Sequence, residues 1–450
     1  MTTSSTSTHT QGLRTFLVLL FSQSLSGFGT NLALFAVDIW LAQVLFSTES
    51  QKVQLGVAFS IIQLATALPS VLGAPFAGSW ADRHERKRTM LAADLLNGLV
   101  SGAFLLMLFV GQVNLSILAV VIGIATLIGV FHRASFDTSY AMLVPQAQLP
   151  RANSLMQTMQ TVTLLFGPSA AAVLMTAPAL ARQQHWPGLI GRALAGLNDG
   201  FVLTIAIDLV TFWFAALVLS RLIVPSPPQT EATHNKGNFW DDIKIGFRFV
   251  ATHPAHLLLL LAVAMANVIH GFMVVNIPLV VKYSLAPDWA ARGWSFEAAL
   301  AFTFTAFTLA GVVAGFAISA WGGLKRQRIR GVLIGLIGYG LGCAMFGFAT
   351  NIFVAAAAAT LAISSLLLMN IHSQTIWQIT TPLDVQGRVF AARTLIGQSA
   401  WPISVAVGGL VGGRFDPGLS IGVLSSVCTV FFVLLPFNRR LRQIDSGQAR

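Results

Sequence analysis

The chain has 450 residues, 55% of them hydrophobic and only 10% charged, against roughly a quarter charged in a soluble domain. With a mean hydropathy of +0.73, a water-soluble enzyme is excluded. The net charge of +11 lies in short basic clusters between apolar runs, with no aromatic-interleaved basic surface, so it reports membrane topology and nucleic-acid binding drops out.

The first residues are Ser/Thr-rich, without the basic start and cleavage site of a secretory signal, so 1–14 reads as a disordered cytosolic tail. Twelve apolar runs follow, each near the roughly 20 residues needed to cross a bilayer as a helix. They fall at about residues 15–46, 54–80, 89–111, 114–140, 151–176, 198–223, 255–284, 295–321, 331–349, 352–379, 386–413 and 417–437. An even number puts both termini on one side. Placing that side in the cytosol keeps Arg83, Arg86, Lys87, Arg88, Arg151 and Lys325 to Arg330 inside, and leaves outside only Lys52, Arg182, Arg192, Lys282, Arg292 and Arg414.

The longest polar interruption, 225–254, divides the spans into bundles at 15–224 and 255–437, followed by a cytosolic tail at 438–450. Within it Phe239, Trp240, Ile243, Phe247 and Val250 recur at helical spacing, the pattern of a helix lying on the membrane surface. The two halves share punctuation: Pro145 and Pro382 each precede an Arg by six positions (Arg151, Arg388), and Pro168 and Pro402 interrupt the helices that follow. The expected fold is an all-α polytopic membrane protein, twelve transmembrane helices in two pseudo-symmetric six-helix bundles. Cys343 and Cys428 lie inside apolar runs, which makes them packing residues and argues against disulfide or metal chemistry.

Between the second and third spans stands Gly78-Ser-Trp-Ala-Asp82-Arg83-His-Glu-Arg86-Lys87-Arg88. Gly78 would let helices approach closely, and Asp82 can cap a helix end or pair with Arg83 or Arg86. The stretch resembles the G-x-x-x-D-R-x-x-R-[KR] signature of the major facilitator superfamily, and Gly167-Pro168 in the fifth span resembles that superfamily's antiporter motif with alanines where further glycines are usual. Together with Arg151-Ala-Asn-Ser-Leu and Gln386-Gly-Arg-Val-Phe-Ala, these segments are similar to the drug:proton antiporter subgroup that includes macrolide-efflux proteins and the enterobactin exporter. The resemblance covers essentially the whole chain. It implies proton-driven export of amphipathic drugs, siderophores or natural products, by a monomer in the bacterial cytoplasmic membrane, without a cofactor and with the first, fourth, seventh and tenth spans lining the cavity. Gly78, Asp82, Arg83, Arg86, Lys87, Gly167 and Pro168 would then serve conformational gating.

Ionisable side chains within spans are expensive and point to function. Asp38, in the outer part of the first span with no base near it in sequence, is the preferred proton-coupling residue; as plain structure it would be an interfacial side chain. Asp94, Arg133 and Asp137 share a depth near the inner end of the third and fourth spans and can form one ion-pair cluster, the alternative being an Arg clamp between helices. Asp208 is expected to hydrogen-bond a neighbouring span. In the second half Asn267, His270, Asn370, His372, Gln374 and Trp377, with Gln63, Gln157 and Gln160 in the first, form a mixed amide and aromatic set suited to a tolerant amphipathic site, joined by Phe272, Met273 and Phe304. No converging nucleophile and base argues for an intramembrane enzyme, and no G-x-x-x-x-G-K-[ST] loop argues for ATP drive. A lipid or lysophospholipid flippase on the same fold is the competing reading.

Overall fold

A computed structural model describes residues 3–144, 148–224, 239–324, 327–382, 385–442 and 444. Among them there is no strand, and twelve helices are long and apolar enough to cross a membrane. The reason is the solvent: in hydrocarbon every backbone N–H and C=O must be satisfied within its own segment, so continuous apolar runs become helices. The spanning helices are α1 (Thr3–Trp40), α2 (Lys52–Arg83), α3 (Arg86–Val110), α4 (Leu115–Leu143), α5 (Leu149–Gln183), α6 (Phe201–Arg221), α7 (Pro254–Leu279), α8 (Phe296–Trp321), α9 (Arg328–Gly347), α10 (Ile352–Thr380), α11 (Gln386–Arg414) and α12 (Pro417–Leu434).

Local chemistry marks the ends. Gly111 and Gly322 stop α3 and α8 in the left-handed conformation, with φ of 71° and 77°, where a β-carbon would be strained. Asn351 caps α10 by accepting from the N–H groups of Phe353 and Val354, and Asp416 caps α12 with Pro417 in the first helical position. Two ends repeat: α1 runs into a π-helical turn at Leu41–Leu45 and α7 into another at Val280–Ser284. The first helix of each half thus finishes the same way, a structural trace of duplication.

The first helix begins inside the stretch read as a tail. The helix is already formed at Thr3. No Gly or Pro interrupts residues 3–11, and extending a helix that is held by its membrane span needs no new nucleus.

The chain separates into two compact units, residues 1–47 with 61–232, and 48–60 with 233–450. In the first, α1 packs on α5 and α6, and α3 on α4 and α6. Gly98 lets α3 close on Trp213 of α6, whose ring nitrogen lies 2.8 Å from where a β-carbon would stand. In the second, α9 is enclosed by α10 and α12, and α7 packs along α11. The early turns of α2 group here, with the Ser60 hydroxyl donating to the Val405 carbonyl of α11 at 2.7 Å.

The helix Phe239–Thr252 also belongs to this unit, packed on α11 and not simply laid on a membrane surface. Gly246 fits against Ala392 and Val250 is buried, while Ile245 and Phe247 stay exposed. At another end, Asp288 accepts from the Ile352 amide at 2.9 Å, from Asn351 at 3.1 Å and from Arg292 at 2.9 and 3.2 Å. The Arg292 hydrogen bonds and the Ile352 amide hold the Asp288 carboxyl below its ordinary pKa of 3.8.

Candidate functional site

Polar spacing inside the apolar runs builds the main site. On α3, Asp94, Asn97 and Ser101 stand three and seven residues apart, one face of a helix. On α1, Gln23, Ser26 and Thr30 repeat the same interval. The two faces meet inside the first unit around a cavity of about 470 Å³, which α2, α4 and α6 also line.

At one end of this seam Gln23 donates to Asp94 Oδ2 at 3.1 Å. His132 Nε2 of α4 comes within 3.3 Å of Asp94 Oδ1 but is not aligned for a hydrogen bond. At the other end Asp208 of α6 accepts from Ser101 at 2.6 Å and from Thr30 at 3.1 Å, so each carboxylate oxygen has its own donor. Between them Asn97 is buried, and its Oδ1 has no hydrogen-bond partner among the described residues. Asp94 and Asp208 are likewise buried, 2% and 6% exposed.

Other ionisable candidates are placed differently. Asp38 lies half-buried on α1 and has neither hydrogen-bond nor ion-pair partner among the described residues. The expected three-residue cluster does not form: Arg133 and Asp137 face each other along α4 at 3.9 Å, both largely exposed, while Asp94 turns to His132. The cause is helical rotation, since neighbouring residues on α4 point about 100° apart and position 132, not 133, faces α3.

In the loop motif, the basic residues serve helix ends. Arg86 donates to the Thr138 carbonyl at 2.8 Å and Lys87 to the Ser220 carbonyl at 3.0 Å, near the carboxyl ends of α4 and α6, where cations offset unsatisfied carbonyls. Arg83 is exposed, and the side chain of Asp82 lies outside the described residues, as do Pro145, Lys325 and Arg326. The close approach expected at Gly78 is absent: a β-carbon there would meet nothing within 4 Å. Gly167, by contrast, sits against Asn31 of α1, 3.3 Å from a would-be β-carbon, with Pro168 buried beside it.

The second-half candidates do not converge. Two are buried in packing contacts. His372 is 2% exposed; its Nε2 accepts from the Leu324 N–H at 2.9 Å, which fixes the ring proton on Nδ1, itself 2.9 Å from the Leu368 carbonyl. Trp377 is fully buried, edge-on to His256 and beneath the Arg393 guanidinium. Asn267 is committed to the Gly397 carbonyl at 2.7 Å, and Gln374 accepts from Arg393 at 2.6 Å. His270 and Gln63 are half-buried, while Asn370, Gln157 and Gln160 are exposed. Both cysteines are free and buried.

Sequence reasoning singled out neither His132, Asn97, Gln23, Thr30 nor Ser101. The signal was present, in the matching three-and-seven spacing on two spans.

Among the described residues, twelve helices long and apolar enough to span a bilayer, grouped in two compact units, define a multi-pass membrane protein. The chain belongs to the Major Facilitator Superfamily, whose family model matches residues 19–405. It is 25% identical over 148 residues to macrolide efflux protein A of Streptococcus pyogenes, a match covering 30% of this chain and 36% of that protein. It is 29% identical over 164 residues to the lysophospholipid transporter LplT of Serratia proteamaculans, covering 36% of each. The matches thus span about a third of these relatives' length. A crystal structure of the nucleoside transporter NupG superposes with a TM-score of 0.66 over 94% of this chain and 99% of that one at 12% identity, a likeness of fold.

Proposed function

We propose that the protein is a secondary active exporter of amphipathic small molecules, exchanging cargo for protons by alternating access in a bacterial cytoplasmic membrane. The basic-loop asymmetry supports termini on the cytosolic side. The observation that carries the reading is Asp38: a membrane-embedded carboxylate with no cation or donor bound to it among the described residues, free to exchange a proton as access changes. Partial likeness to macrolide efflux protein A supports an amphipathic cargo. Likeness of similar extent to a lysophospholipid transporter favours a second reading, a lipid flippase that needs no proton exchange.

The test is transport by the full chain in everted membrane vesicles, with a macrolide and a fluorescent lysophospholipid as probes. The exporter reading expects macrolide accumulation driven by an imposed pH gradient, lost in Asp38→Asn while macrolide binding persists. Lysophospholipid movement indifferent to the gradient and to Asp38→Asn, with no macrolide uptake, would establish the flippase.

A further inference from the structure

The cavity inside the first unit holds buried acceptors that its donors do not reach, and they are localised at Asp94 and Asn97. Asp208 is complete: two oxygens, two hydroxyl donors. Asp94 is not. Its Oδ2 takes the Gln23 amide, but among the described residues Oδ1 has only the unaligned His132 ring near it. One turn along α3, Asn97 offers a second buried acceptor with no donor. Leaving such groups unpaired in a protein interior is costly, and a hydrogen on Asp94 Oδ1 would supply a donor to one of them.

We propose that Asp94 is a proton-binding site of the first unit, with His132 and Asn97 as the acceptors that its proton serves. A proton taken from water in the cavity onto Asp94 Oδ1 converts a lone acceptor into an O–H donor, which bonds His132 Nε2 or Asn97 Oδ1; release returns the proton to water and restores the carboxylate. No other bond is made or broken. The charged and titratable groups facing this cavity are His132 and Arg133 from α4 and Asp208 from α6; α1 and α2 contribute neutral ones, including Gln23, Asn31, Thr66 and Ser70. His132 is half-buried and lies on the same cavity, and a space of about 470 Å³ admits several waters.

The site is distinct from Asp38. Gln23, which binds Asp94, precedes Asp38 by fifteen positions on α1, about 22 Å along the axis at 1.5 Å per residue. Thr30, which binds Asp208, lies between them. On the exporter reading, which this inference deepens, α1 meets carboxylates at staged depths, its own Asp38 and the Asp94 and Asp208 of its neighbours, and Asp94 exchanges protons in the half of the membrane opposite to Asp38.

The experiment needs no cargo, so its failure is separable from failure of the exporter reading. The full chain in lipid is taken between about pH 8 and pH 5, and the carbonyl stretch of protonated carboxylic acid is followed by difference infrared spectroscopy. The background is Asp38→Asn, so that Asp38 contributes nothing. A protonated-carboxyl band is expected there, absent after Asp94→Asn, restored with Asp94→Glu, persistent after Asp208→Asn, and shifted in midpoint by His132→Gln. Exchanging potassium for sodium should leave the midpoint unchanged. A band that survives Asp94→Asn, that vanishes with Asp208→Asn, that moves with sodium, or that is missing altogether in the Asp38→Asn background overturns the proposal.

Discussion

The two units solve the same packing problem in opposite ways. The first keeps a polar seam between α1 and α3 beside a cavity of about 470 Å³, bounded by two carboxylates. In the second, α9 presents Gly335 and Gly342 to α10 so closely that a β-carbon at either would stand 2.6 Å from a backbone nitrogen, of Met369 and of Ala362. Polar side chains persist there, but His372, Asn267 and Asn276 are spent on backbone groups of neighbouring segments. Duplication therefore preserved the helical scaffold while the carboxylates buried within spans, Asp94 and Asp208, stand in one half.

The sharpest way to break this contrast is to add bulk to each interior. Gly335→Leu drives a side chain into the α10 backbone, where overpacking costs about 1–3 kcal/mol even when neighbours adjust. We expect little folded protein by size-exclusion chromatography in detergent. Ala125→Leu points into the first unit's cavity and should leave the melting temperature unchanged or raised. Equal damage from both would mean that the cavity is filled in the membrane.

Next in size is the completed carboxylate. Asp208→Ala leaves the Ser101 and Thr30 hydroxyls without their acceptor, a loss of about 1–3 kcal/mol. Thermal unfolding should show the fall, and the triple variant Ser101→Ala/Thr30→Val/Asp208→Ala should recover part of it, because no unpaired group remains. Strict additivity of the three changes would deny the network.

Smaller again is His372. Its loss strands the Leu324 N–H and empties the space over Gly331, so His372→Ala should cost about 1–2 kcal/mol and His372→Gln less. Cargo preference, measured as the ratio of two probes' transport rates, should not change in either variant. A changed ratio would return His372 to the substrate site.

How much of this was legible in the sequence differs between scaffold and site. The spans were readable because twenty-residue apolar runs have one solution in hydrocarbon, and several helix ends lie at a breaker, Gly111, Gly322 and Pro417 among them. Facing was not readable. A helix apolar all round has no hydrophobic face to reveal which side meets protein and which meets lipid, so Trp377 and His372 could be assigned to a cavity while they pack against His256 and Leu324. The same gap paired Asp94 with Arg133, the stronger charge, when the neighbouring His132 occupies the facing position. Polar periodicity does survive inside apolar runs, and Asp94, Asn97 and Ser101 show it.

The smallest expected effect tests the contrast at the surface, where a carboxylate is fully satisfied as Asp208 is but meets water. Asp288 binds Arg292 and the amide that opens α10, and these bonds favour its charged form, lowering its pKa below 3.8. A carboxyl whose folded pKa is depressed contributes stability above its unfolded pKa and loses it as pH falls through the folded value. Wild type should therefore melt above Asp288→Ala near neutral pH, and the gap should close only once pH drops below the ordinary carboxylate value of 3.8. Scanning calorimetry of both proteins in the same lipid across that range reads the gap directly. Added salt should narrow it at neutral pH, because the Arg292 pair is partly exposed and screened. A gap that persisted unchanged below the folded pKa would mean that Asp288 acts through packing alone, and the pair with Arg292 would lose its electrostatic role.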